Sequence, residues 1–288
     1  MMRSLFTAAS GMMAQQTVLD TVANNLANVN TPGFKKTRVE FQDLLYESLR
    51  PGSDGAQGSG ASSSSGAGSS SASALDGAGT SVRAPVQVGH GVRVAGTRRS
   101  LSPGNFEETG NKTDLAIDGQ GFFKILLGNS DVAYTRDGTF RVDGSGKIVT
   151  LDGYTVCASG DGTAVLTVPQ GAQDILVTGS GEVRTTTATG EASIVGTMGL
   201  VVFSNPAGLQ AIGKNLFRKT ASSGEPVGTA CGANGAGTIM QGYIERSNVQ
   251  VVEEMVNLII VQRAYEMNVK CVQSSDEILS MTNNLVRR

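Results

Sequence analysis

The chain contains one histidine, His90, in the stretch VGHGV, so any nucleophile relay or general base built on imidazole would have to use it. Its flanking residues Gly89 and Gly91 mark a turn, not a catalytic pocket. Three cysteines, Cys157, Cys231 and Cys271, lie far apart; their odd number and spacing match neither a disulfide framework nor a zinc ligand set. DGSGKIVTLDGY, residues 143 to 154, starts like a calcium loop. Lys147 then occupies a ligand position, and Tyr154 stands where a bidentate Glu is required. The GSGK inside it fails as a phosphate loop, with Arg141 in place of the first Gly and Ile148 in place of Ser or Thr. Asn111-Lys112-Thr113 is a glycosylation triplet of a kind that recurs by chance. The carboxylates are scattered, with no pair suited to acid/base work. The expectation is a protein that is no enzyme, with no catalytic residues, no cofactor and no metal.

Amides offer a different chemistry. NNLANVNTPGF, residues 24 to 34, crowds Asn24, Asn25, Asn28 and Asn30 before Pro32-Gly33. Asparagine is a mediocre helix former because its side chain competes for backbone groups. On a helix Asn24 and Asn28 share a face while Asn25 points elsewhere. Such amides either bond across a helix–helix contact and fix its register, or cap the helix's own end. Gln15, Gln16, Gln262 and Asn268 add further amides.

The elements that carry these residues follow from composition and period. With 288 residues the chain is long enough for one or two domains with a real core, and 38 glycines with no Trp point to a turn-rich β protein or a low-complexity segment. A net charge of -2 without a basic patch argues against nucleic acid. No apolar run is long enough to span a bilayer. MMRSLFTAASGMMAQQ lacks a continuous apolar core, so no cleaved signal peptide is expected; that alone would place the protein in the cytoplasm unless another export route exists.

Four regions separate: 1–50, 51–82, 83–245 and 246–288. In the first, residues 4 to 30 read as a helix with Ser4 as N-cap; Leu5, Met12, Leu19 and Leu26 recur every seven residues, and Ala8, Gln15, Val22 and Val29 form a companion row. Pro32 and Gly33 then stop the helix with a tight turn. VEFQDLLYESL, 39 to 49, places Phe41, Leu44, Leu45 and Leu49 on one helical face. Residues 51 to 82 are almost wholly Gly, Ser and Ala and read as a disordered, flexible insert. The third region alternates short β-branched or apolar runs with turns at Asp137-Gly138, Asp143-Gly144, Asp152-Gly153 and Asp161-Gly162, an all-β body of more than one small sheet.

The last region is a helix, 248 to 288. Val251, Leu258, Tyr265, Val272, Leu279 and Val286 keep a seven-residue step, with Val261 and Asn268 in the companion row. Ser247 and Gln250 form a capping box; Glu253 and Glu254 near the start and Arg287 and Arg288 at the end suit the helix dipole. The fold expected is α+β, with long terminal heptad helices that pair as a coiled-coil layer around a β body. One apolar seam cannot offset the ordering entropy of a helix this long, so these ends need partners on more than one face.

NNLANVNTPGFK, DLAIDGQGFF, YTRDGTF and SNVQVVEEMVNLIIVQRAYEMN stand in the order found in the bacterial flagellar rod and hook family of axial proteins, which the chain resembles outside 51–82. VGHGVRV, GNFEETGNKTDLAIDGQGFF and GAGTIMQGYIERSNVQVVEEMVN place the resemblance with the distal segment of the rod. The resemblance implies a structural subunit that polymerises into a helical drive shaft carrying torque from motor to hook. A proximal rod or hook-type protein is the alternative and, in a different class, a secreted β-rich surface protein. It implies that the terminal helices line a channel inside the β bodies, and that the chain leaves the cell by the flagellar type III route. Its partners would be copies of itself, proximal rod proteins, hook protein and rod-surrounding ring proteins, with no nucleic acid and no direct membrane insertion.

Interface roles carry over by matching position. Leu19, Val22, Leu26 and Val29 would pack the helix layer, and Asn24, Asn25 and Asn28 would bond to neighbouring subunits. Pro32, Gly33 and Phe34 would turn and anchor the chain. On the other helix Val251, Leu258, Val261, Tyr265, Asn268 and Val272 would face partners, with Arg263 and Glu266 as intersubunit charges.

Overall fold

A computed structural model describes residues 2–48, 87–128, 131–158, 164–169, 172–187 and 192–286. The expected insert at 51–82, the Asp161-Gly162 turn and the terminal Arg287 and Arg288 lie outside the described residues. Two terminal helices flank an all-β centre, as composition and period require.

The first helix, α1, spans Met2–Ala27. Ser4 therefore lies within its first turn and is not the N-cap. Its end is a tight turn in which the Asn28 amide donates to the carbonyls of Asn24 and Asn25 and Thr31 N–H donates to Asn28. The second helix, α2, spans Val251–Val286. The capping box does not form: Ser247 Oγ instead accepts from Val249 N–H at 3.3 Å. The first helical bond runs from Glu254 N–H to the Gln250 carbonyl at 3.0 Å, so the helix starts later than the Ser-x-x-Gln pattern suggests.

The described part of the 39–49 stretch forms strands, not a helix, and Leu49 lies outside the described residues. β1 (Thr37–Asp43) pairs with β4 (Val92–Arg99), and β2 (Tyr46–Ser48) pairs with β3 (Gln87–Gly89). An apolar run this short cannot hold a helix by itself, and a neighbouring strand supplies a backbone ladder that a helix would forgo. His90 sits in the connection from β3 to β4, as its glycine neighbours suggested, with Nδ1 3.0 Å from the Leu45 carbonyl.

The chain forms two compact units. One comprises Met1–Ala14, Phe41–Val94 and Met267–Arg288, that is, the outer ends of both helices with the β2–β3 ribbon. The other comprises Gln15–Glu40 and Ala95–Glu266 and holds the β body. Its main sheet has nine strands, ordered 210–213, 216–218, 132–135, 122–126, 155–156, 148–150 and 140–142, with 200–202 also on 122–126 and 227–229 on 200–202. Strands 172–177, 182–187 and 192–197 make a separate meander. The Asp143-Gly144 and Asp152-Gly153 turns join neighbouring strands as predicted, but Asp137-Gly138 links 132–135 and 140–142, which do not pair, and its Gly138 carbonyl takes the Leu115 N–H at 3.0 Å.

Alternation along 122–126 sends side chains to two cores. Phe123 and Ile125 enter the larger one with Phe140, Ile117, Leu200 and Val183. Phe122 enters a smaller one with Tyr134, Phe203 and Phe217. Its rings meet edge to face, with Phe122 5.8 Å from both Phe203 and Phe217.

Within each unit the helices touch in antiparallel order. In the first, Ser4 Oγ lies 3.5 Å from Ser275 Oγ and Gly11 lies against Asn268. In the second, Asn25 Nδ2 donates to Glu254 at 3.3 Å. The inward side of α1 thus carries Ser4, Gly11 and Asn25 beside the buried companions Ala8 and Val22, and that of α2 carries the companions Val261 and Asn268. The rows of Leu5, Met12, Leu19 and Leu26, and of Val251, Leu258, Tyr265, Val272 and Leu279, flank this contact and stay half-buried or exposed. Small and polar residues let two backbones approach closely; the bulky rows present more apolar surface than one partner helix can cover.

Candidate functional site

The residues where α1 ends and α2 begins converge with the β body on a buried network of charges and amides. Gly33 makes the turn that brings the chain there. Its φ of +68° suits glycine, and a Cβ would lie 2.8 Å from the Asp137 nitrogen. Its N–H donates to the Glu245 carbonyl at 2.8 Å, and Asn215 Nδ2 donates to the Pro32 carbonyl at 2.8 Å. The turn expected of Pro32, Gly33 and Phe34 is therefore present, and it anchors to the strand that precedes α2.

Two residues on, Lys35 Nζ reaches Glu245 Oε1 at 2.6 Å and the Ser102 carbonyl at 2.7 Å. Arg136 Nε donates to the other Glu245 oxygen at 2.9 Å, and its remaining nitrogens donate to the carbonyls of Ile117, Gly119 and Gly121. Gly104 N–H completes the carboxylate's shell at 2.8 Å. The Lys35 and Glu245 side chains are each 1% exposed. Burial pushes the Glu245 carboxyl up, but the Arg136 and Lys35 charges, with the hydrogen bonds from Lys35 and Gly104, outweigh it and hold the group below its ordinary range. Burial lowers the Lys35 ammonium; the Glu245 charge and hydrogen bond partly restore it, and the like charge of Arg136 lowers it further.

A second set ties α2 to the same segment. Lys36 Nζ sits 2.6 Å from Glu254 Oε1 and 3.2 Å from Glu253 Oε2. Lys36 N–H donates to Asn248 Oδ1 at 2.7 Å, and Asn248 Nδ2 donates to the Ser100 carbonyl at 2.9 Å. Asn25 joins both helices to the sheet. Its Nδ2 donates to the Thr37 carbonyl at 2.9 Å and its Oδ1 accepts from Thr37 N–H at 3.0 Å, so the side-chain amide pairs with β1 as another strand's peptide would.

The asparagine cluster therefore divides. Asn25 is 1% exposed and its amide is fully engaged inside the chain, which corrects its assignment to neighbouring subunits; a buried amide with both ends bonded has nothing left to offer outside. Asn28 Nδ2 donates to the Asn24 carbonyl at 2.9 Å and so caps the helix end, while Asn24 is exposed. Asn24, Asn28, Gly33 and Phe34 share one recess with Lys35, Arg99, Lys214 and Asn215.

Leu19, Leu26 and Val29 are half-buried and Val22 is buried. On α2 Val261 is buried, Leu258, Asn268 and Val272 are half-buried, and Val251, Arg263, Tyr265 and Glu266 are exposed. These α2 positions are spread around and along the helix and do not meet at one point. Sequence reading missed Lys35, Lys36, Arg136, Glu245, Asn248 and Glu254. Their one local signal is a charge set within an apolar strand, as in AYTRDGTF and GYIER; nothing local says that Lys35 and Glu245 are partners.

No helix among the described residues is long and apolar enough to cross a membrane. Outside the network, the first half of α2 exposes a run of apolar side chains. Val252 is 75% exposed, Ile260 59% and Met267 64%, with Met255, Val256 and Ile259 also exposed.

Three family models match the chain. Residues 5–35 match "Flagella basal body rod protein", 116–185 match "Flagellar hook protein FlgE/F/G D1 domain", and 240–285 match "Flagellar basal body rod FlgEFG protein C-terminal". The flagellar basal-body rod protein FlgG of Borreliella burgdorferi is 43% identical over 291 residues, covering the whole of both chains. Its namesake in Caulobacter vibrioides is 42% identical, covering 99% of each chain. The Caulobacter protein named flagellar basal-body rod protein FlgF is 33% identical, covering 96% of this chain and 94% of its own.

Proposed function

The chain belongs to the bacterial flagellar basal-body rod family, and we propose from that premise how its residues build the shaft. It is a structural subunit of the distal rod, which carries torque from motor to hook. It assembles with copies of itself by laying terminal helices against those of neighbours, a coiled-coil layer inside the β bodies. Proximal rod proteins and hook protein meet the two ends of the polymer and ring proteins surround it. The chain reaches its place through the flagellar type III route and does not insert into a membrane.

One observation carries this reading: Glu254, Val261 and Ser275 of α2 are buried, while Val252, Met255, Val256, Ile259, Ile260 and Met267 leave a broad apolar surface exposed. A helix with so much exposed apolar surface gains stability when neighbours cover it. Other chains must cover Val252, Met255, Val256, Ile259 and Ile260, and Val251, Leu258, Tyr265 and Val272 lie at the edge of that surface. Leu19, Leu26 and Val29 offer α1's matching rows, with Val22 beneath them. Asn24 and Asn28 supply polar contacts at the helix foot, and Arg263 and Glu266 supply exposed charges for neighbours. The domain pattern of two rod helices and a β body at 83–245 belongs to the same proposal.

The test is Ile260→Asp in the full chain. Ile260 is 59% exposed, so the monomer keeps its circular dichroism and melting point. Assembly would bury the new charge, so rods fail to form in electron micrographs and swimming is lost. Normal rods in that variant would refute the proposed surface. Density for this chain confined to the curved hook in maps of isolated basal bodies would refute the distal position.

A further inference from the structure

We propose that the register of α1 against α2 is set by a ladder of polar and small residues centred on Gly11 and Asn268, and not by the apolar rows beside it. The contacts of the first unit step evenly: from Ser4 to Gly11 is seven residues on α1, matched by seven back from Ser275 to Asn268 on α2. In the second unit Asn25 meets Glu254.

Gly11 is the only glycine in either helix. A glycine in a helix interior costs about 1 kcal/mol relative to alanine. Here the missing side chain has a use: a Cβ at position 11 would lie 3.1 Å from Asn268 Nδ2, so the Asn268 amide lies against bare backbone. A slip of one helical turn would set Asn268 opposite Thr7 or Gln15, where a side chain already stands. The same slip would part Asn25 from Glu254, both 1% exposed, and leave buried polar groups unpaired. The apolar rows make no such distinction, because Leu, Met, Ile and Val replace one another after each turn with small loss of contact. A polar position within a helix pair fixes alignment at some expense in stability. This assignment concerns contacts inside one chain and stands apart from the polymer surface proposed above.

Cys271 is a ready-made ruler, since it lies one turn before Ser275 and is exposed. In purified full-length chain carrying Ser4→Cys and Ser275→Cys, oxidation forms a 4–275 disulfide in the observed register and a 4–271 disulfide after a one-turn slip. Disulfide geometry separates the two. Mixing with isotope-labelled chain before mass spectrometry sorts intrachain from interchain links. The expected 4–275 to 4–271 ratio is about tenfold in the parent, the discrimination of one lost polar contact. Adding Gly11→Leu or Asn268→Leu, both helix-favouring changes, brings the ratio toward one while the helical circular dichroism signal persists. Equal yields in the parent, or a ratio unmoved within about twofold by both leucines, would overturn the proposal.

Discussion

At the foot of the helices, Lys35, Arg136 and Glu245 expose 1–5% of their side chains and find every partner within the chain. Along the outside of α2, Val252 leaves 75% of itself exposed and finds none of comparable extent. The first region is polar, buried and complete; the second is apolar and uncovered. The distribution inverts the usual arrangement of a globular protein, in which charge faces water and apolar groups fill the interior. What the difference teaches is a division of labour: specific polar bonds fix the shape of the subunit, and under the proposed function the nondirectional apolar surface joins subunits.

Breaking the buried side of that comparison has the largest effect. Glu245→Gln strands two cations with no counter-charge, and loss of one partner from a buried ion pair typically costs about 3–5 kcal/mol. Urea unfolding of the β body measures it. The same variant carries a pH signature. The Glu245 carboxyl is held below its ordinary value of 4.5, so its stabilisation is complete above that pH and is lost as the pH falls below it. In the Gln variant this acid slope vanishes. Asp137, pushed up from 3.8 by burial, gives a slope of opposite sign in both proteins, so the difference between them isolates Glu245. An unchanged slope would mean that Glu245 is not the titrating group.

Asn25→Ala comes next. It leaves Thr37's N–H and carbonyl without their side-chain partners and Glu254 without one donor, for about 1–3 kcal/mol. Hydrogen exchange at Thr37 N–H should accelerate well before that of the core strands. The smallest effect is on the other side: Val252→Ser changes monomer stability by no more than about 0.5 kcal/mol, yet weakens assembly. If the monomer lost as much with Val252→Ser as with Asn25→Ala, the contrast between the two regions would fail.

Sequence alone gave both helices, because period and length agree, and gave the β body through its Asp-Gly turns. It misread 39–49, where Phe41, Leu44 and Leu45 fit a helical face until β4 offers β1 a ladder. It gave no sign that Gly11 and Ser275 stand at the contact between α1 and α2. Period marks the largest apolar residues, and Leu5, Met12 and Leu19 are indeed regular, but α1 turns Ala8, Gly11 and Asn25 toward its partner. A pattern reader cannot tell a seam kept for another molecule from one used at home. The Lys35–Glu245 pair was out of reach for another reason: its members are separated by most of the β body, and only folding brings them together.

Asn25 mimics a peptide unit at the point where a helix hands its chain to a sheet. Such a graft replaces the loose elbow common at helix ends with a joint whose rotation would break two backbone bonds at once. A twisting load entering through the helices would then pass to the β body without backlash, so torsional stiffness is settled inside each piece before any pieces are stacked.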